Sequence, residues 1–129
     1  LMKKILGLFV GLAFAAFTYA QETAITFTDA GAGYDPASTT VFNFEFSGAT
    51  TESITEASAL YGDYFNVTAT EAGEVHNVVV TLVEDTEMAR KVIGRFLATA
   101  TSHKTPITAG GTAYSVREFT DAYLVYATE

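Results

Sequence analysis

Two histidines, His76 and His103, are the only imidazoles in a 129-residue chain that has no cysteine. Imidazole binds borderline metals, and a carboxylate such as Glu74 or Glu84 would complete a non-thiolate site for copper or zinc. The spacing matches no recognised ligand motif, since His76 opens an extended run and His103 follows a helical one. The absence of cysteine removes a disulfide framework, thiolate metal sites and a Cys nucleophile. A serine hydrolase elbow, Gly-x-Ser-x-Gly, is missing, and Ser53 and Ser115 have another use as helix caps. The fifteen Asp and Glu leave a small carboxylate-dependent hydrolase as one alternative, although most of them stand in turns, helix starts and solvated strand faces. Gly110-Gly111 lacks the Lys and Ser/Thr that follow in a phosphate loop and reads as a turn.

Charge narrows the partners. Seven Lys and Arg against fifteen acids give a formal net charge of −8, which argues against nucleic acid, whose phosphates need a basic footprint. Arg90, Lys91 and Arg95 cluster on the polar side of one helix, where they form a candidate partner-contact patch on an acidic body. Glu87 is spaced to pair with Arg90 and Lys91 at i+3 and i+4, the alternative use of the same charges. No cofactor is implied. The tyrosines, Tyr34, Tyr61, Tyr64, Tyr123 and Tyr126, suit either an interface or the rim of the core.

Several elements must position these residues. Leu1-Met2-Lys3-Lys4 and the apolar run Ile5 to Phe17 have the layout of a secretory signal, with Thr18-Tyr19-Ala20 supplying small residues ahead of cleavage at Gln21. Residues 1–20 are therefore expected to be a signal peptide, too short to remain as a membrane span, which needs roughly 20 apolar residues. Export to a bacterial periplasm or to the medium follows. Without Lys3 and Lys4, five cations face fifteen acids, a net charge of −10.

Residues 21–40 read as an N-terminal arm or edge strand, from the alternation of Ile25 and Phe27 and the turn-rich stretch after Asp29. Residues 41–129 read as one domain. Phe42, Phe44 and Phe46 alternate with Asn43 and Glu45, the mark of a strand with one buried face. Ser53 and Glu56 have capping-box spacing for a short helix to about Tyr61. A hairpin follows, Tyr64–Thr70 and Val75–Val83, whose second arm is β-branched on both faces and belongs inside a sheet. Met88, Val92, Ile93, Phe96, Leu97 and Ala100 form one stripe of a helix over 86–100, with Asp85 placed to cap it. Ser115 and Glu118 make a second capping box, bracketed by Tyr114 and Phe119 at staple positions, for a helix from Val116 to Leu124.

The order is that of an α+β two-layer sandwich: an antiparallel sheet with helices on one face, ferredoxin-like β-α-β-β-α-β, with an extra C-terminal helix. Phe44-Glu45-Phe46-Ser47-Gly48-Ala49-Thr50-Thr51-Glu52-Ser53-Ile54 resembles the first strand and loop of heavy-metal-associated domains, the small ferredoxin-like copper carriers. The resemblance spans about residues 41–108 and implies their fold. Thr51 and Ile54 stand where that family has its two cysteines, and neither binds Cu(I). Together these features predict a small exported non-catalytic binding or interaction domain whose partner is another exported protein. A periplasmic metal-handling protein with non-thiolate ligands at His76 and His103 is a second alternative.

Overall fold

A computed structural model describes residues 23–125. The expectations for residues 1–20 and for Tyr126 lie outside them. Six strands form one mixed sheet in the order β3-β4-β2-β1-β5-β6. They are β1 (Ala24–Phe27), β2 (Val41–Ser47), β3 (Phe65–Ala72), β4 (Val75–Leu82), β5 (Ile107–Ala109) and β6 (Thr112–Tyr114). The helices are α1 (Thr51–Ala59), α2 (Glu87–Ala100) and α3 (Val116–Phe119), and α3 widens into a π-type turn over Thr120–Leu124. Among the described residues no helix is long and apolar enough to cross a membrane.

Alternation in the strands decides which face of the sheet is covered. Phe42, Phe44 and Phe46 of β2 stand opposite Val80, Val78 and His76 of β4, and Ile25 and Phe27 of β1 stand opposite Phe46 and Phe44. All are buried. The intervening residues Thr26, Glu45, Asn77 and Thr81 point to the other face and are exposed. A period of two therefore gives one face to the core and leaves the other to water. α2 closes the core with Ala89, Val92, Ile93, Phe96, Leu97 and Ala100. Burying each of these larger apolar side chains stabilises the fold by about 1.5–3 kcal/mol relative to exposure.

The strand order is not that of a simple ferredoxin-like fold. β2, α1 and β3 form a split unit with β4 between the two strands, as that fold requires. The next neighbour of β2 is β1, which pairs with it antiparallel and then with β5 in parallel, Ile25 opposite Ile107. The segment expected at an edge is thus an interior strand, and it displaces β5 by one position. Its residues explain the insertion: Ile25 and Phe27 are both almost wholly buried, which an edge strand with one neighbour would not achieve. The backbone N–H of Ile25 donates to the Pro106 carbonyl at 3.2 Å, and the hydroxyls of Thr23 and Thr105 meet at 2.6 Å.

Local capping also differs in two of three helices. The cap of α1 lies three residues before Ser53: Thr50 caps the helix, accepting from the Ser53 N–H at 3.0 Å, while Ser53 accepts from the Thr50 N–H at 3.3 Å. At α2 the cap is Thr86, which accepts from the Ala89 N–H at 3.0 Å, because the Asp85 carboxylate is engaged elsewhere. Met88 is 54% exposed, outside the stripe it was expected to join. At α3 the expected Ser115–Glu118 box forms, at 3.1 and 3.0 Å. Gly110 and Gly111 have φ of 60° and 84°, the left-handed pair that a two-residue hairpin loop between β5 and β6 demands.

Tyr34, Tyr61 and Tyr123 rim the core, whereas Tyr64 is exposed. Tyr34 and Tyr123 pack against Phe27 with ring centroids 5.2 and 5.7 Å away. The Tyr34 hydroxyl donates to the Tyr123 carbonyl, and burial pushes its phenol up to about 12.

Candidate functional site

The three cations of the proposed patch have different fates. Arg90 is 1% exposed. Its Nε and Nη2 donate to the two Asp85 oxygens at 2.7 and 3.1 Å. Nη1 donates to the Leu124 carbonyl at 2.9 Å and Nη2 to the Thr39 carbonyl at 2.6 Å. The guanidinium also lies 5.5 Å from the centre of the Phe42 ring. A planar fork with fixed donor directions suits this bidentate contact and the two carbonyls together. Arg90 thus joins the segment before β2, the loop before α2 and the end of the π-type turn after α3, and it is not a surface for partners. Asp85 is held below the usual carboxylate range mainly by its hydrogen bonds from Arg90.

Lys91 and Arg95 belong to the opposite side of α2. With Gly94 and Ala98 they form one wall of a cleft of about 610 Å³, and Val116, Arg117, Thr120 and Asp121 form the facing wall. His103 and Ser115 complete its lining. The cleft exists because α2 and α3 approach closely at a position without a side chain. A Cβ on Gly94 would overlap the Thr120 hydroxyl, whose oxygen is fixed by donating to the Val116 carbonyl at 2.8 Å.

The electrostatics of this cleft set it apart. The described residues contain five Lys and Arg: Arg90 is buried, three line the cleft, and Lys104 is beside His103 in sequence. Lys91 makes an exposed pair with Glu87 at 3.0 Å, of the i,i+4 kind worth about 0.3–0.5 kcal/mol. Neither Arg95 nor Arg117 has an ion-pair partner among the described residues. A guanidinium on each wall and an ammonium one turn from the first can take two or more separated negative groups.

No family model, curated protein or solved structure matches the chain.

The two histidines are on different sites. His76 is a core-face residue of β4, opposite Phe46 and Glu71, and 8% exposed. Its Nε2 lies 2.9 Å from the Thr51 hydroxyl, which donates to the Glu71 carboxylate at 3.2 Å. The chain of bonds fixes Nε2 as the protonated nitrogen, and buried Nδ1 has no partner. This arrangement pins the start of α1 to the β3–β4 hairpin. Ile54, at the other cysteine position of the copper carriers, is 1% exposed in the core. Among the described residues no group of three His, Asp or Glu is arranged to hold a metal.

A second, smaller depression of about 420 Å³ lies on the uncovered sheet face and includes both Asp29 and Glu45. Asp29 accepts from the Asn43 backbone N–H at 2.9 Å and from its side-chain amide at 3.1 Å. These bonds use Asp29 as an acceptor, whereas a hydrolytic pair needs one carboxyl kept protonated by burial.

Lys91 and Arg95 were candidates from the sequence, His103 was a candidate only as a metal ligand, and Arg117 was not singled out. The signal available for Arg117 was its place inside the Ser115–Glu118 capping box, which forces it onto the first turn of α3.

Proposed function

We propose that the chain is an exported, non-catalytic binding domain that takes an anionic ligand in the cleft between α2 and α3. The observation that supports this reading is the distribution of charge: a chain with fifteen acids and seven Lys and Arg gathers Lys91, Arg95, Arg117 and His103 around one concavity. Self-repulsion on an acidic body favours spreading its few cations among the acids, where each would be neutralised. Holding them together, two of them without ion-pair partners among the described residues, has an energetic cost that an anion in the cleft offsets. Ala98 on one wall and Val116 on the other add apolar surface beside the cations, which strengthens ionic contacts to a bound ligand.

Citrate, which carries three separated carboxylates, tests this at low ionic strength by backbone amide chemical shifts. Shifts confined to residues 91–98, 103 and 115–121, weakened by salt and lost in Arg95→Glu/Arg117→Glu, are expected. Absence of shifts, or shifts unaffected by the double reversal, contradicts the reading.

A further inference from the structure

The cleft contains one charge of the wrong sign for a purely anionic ligand. Asp121 lines it together with Arg117, one turn away on the same helical stretch. Asp121 is exposed, and its carboxylate has neither an ion pair nor a hydrogen bond among the described residues. In a site for phosphate, sulfate or a polyanionic sugar, a free carboxylate beside the cations repels the ligand. For a polypeptide the same carboxylate has a use, because every non-proline residue of an incoming strand brings an N–H donor.

We infer that the ligand is a short acidic segment of another exported polypeptide, bound extended along the cleft; this rests on the reading of the cleft as an anion site. Its side-chain carboxylates pair with Arg95, Arg117 and Lys91, the last exchanging its exposed partner Glu87, and backbone N–H groups donate to Asp121. Dimensions agree with a segment and not a domain-sized surface. From Lys91 to Ala98 the helix rises about 10 Å at 1.5 Å per residue, the length of about three extended residues at 3.3 Å each. On the α2 wall the small side chain of half-buried Ala98 leaves room for the strand's backbone. A long polyanion would run off the cleft onto the acidic remainder of the surface, so charge also limits the length that binds.

The test compares a fluorescein-labelled hexapeptide alternating glutamate and alanine with its glutamine counterpart and with citrate, on the wild-type chain and on Asp121→Asn. The glutamate peptide is expected to bind at least tenfold more tightly than citrate and than the glutamine peptide. Asp121→Asn is expected to weaken the peptide about threefold or more while strengthening citrate, an opposition of sign that a merely structural role for Asp121 would not produce. Citrate bound as tightly as the peptide, or both ligands strengthened by Asp121→Asn, overturns the polypeptide inference and leaves the anion cleft standing. No binding of either ligand overturns both. Self-association of the chain that competes with the peptide would identify the segment's source as a second copy, and overturns the assignment to another protein.

Discussion

Arg90 and Lys91 are neighbours in sequence, yet one belongs to the interior and the other to a binding surface. A helix turns by about 100° per residue, so Arg90 shares the azimuth of Ile93, Leu97 and Ala100, while Lys91 shares that of Arg95 and Ala98. The first cation is compensated inside the molecule, by Asp85 and two backbone carbonyls. The others face a cleft in which Arg95 and Arg117 find no counter-ion among the described residues. Charge of one type thus does two jobs on one helix: where its partners are internal it holds segments together, and where they are missing it is available to a ligand. The contrast yields opposite expectations for stability and for binding.

The largest effect is expected from Arg90→Met. It leaves the Thr39 and Leu124 carbonyls without their donor, while Asp85 is exposed enough to be solvated, and leaving such acceptors unsatisfied costs about 1–3 kcal/mol. Urea unfolding at neutral pH measures this directly. A loss below about 1 kcal/mol would remove the distinction between Arg90 and its neighbour. Arg90→Lys keeps the charge but not the fork, and an intermediate loss is expected.

Acid should reveal the same hub. The folded-state pKa of Asp85 is depressed, so its contribution is fully present above the unfolded carboxylate value near 4 and disappears as pH falls through the folded value. The stability of the wild-type chain should therefore decline below about pH 4 more steeply than that of Asp85→Asn. Equal slopes in urea midpoints collected between pH 6 and pH 2 would show that the contact contributes nothing.

A smaller effect concerns the close approach that makes the cleft. Ala normally improves on Gly in a helix by about 1 kcal/mol, but at Gly94 its methyl would meet the Thr120 hydroxyl. Gly94→Ala should destabilise by about 1 kcal/mol net, since overpacking costs about 1–3 kcal/mol. In a Thr120→Ala background the same change should become neutral or stabilising. A Gly94→Ala variant that is stabilised without help from Thr120→Ala would mean that the two helices are not held in contact there.

Much of the frame was legible in the sequence because it is local. The alternation at Phe42, Phe44 and Phe46, the stripe of α2 and the cap at Ser115 each depend on residues within one or two turns. Thr50 was missed as a cap because Ser53 and Glu56 offer a competing box only three residues later. β1 was misplaced for a different reason: its parallel pairing joins Ile25 to Ile107, and no short-range pattern records a partner so far along the chain.

The site was half legible. Spacing alone put Arg90 on the buried azimuth of α2, but its residue type suggested the polar side, since guanidinium is buried only with a counter-ion and acceptors that come from Asp85, Thr39 and Leu124. His76 follows the same logic, as it continues the core alternation of Val78, Val80 and Leu82. Arg117 and His103 join Lys91 and Arg95 only through the packing of α3 on α2, a contact invisible in either segment by itself.

Arg95→Glu separates a binding cation from a structural one when unfolding and peptide binding are measured on the same preparation. A substitution on an exposed surface without internal partners changes stability by no more than about 0.5 kcal/mol. The expected result is an unchanged urea midpoint with affinity for the glutamate–alanine hexapeptide reduced at least tenfold. A lowered midpoint with undiminished binding would contradict the account, since Arg95 would then be a structural cation like Arg90 and the cleft would not be the site.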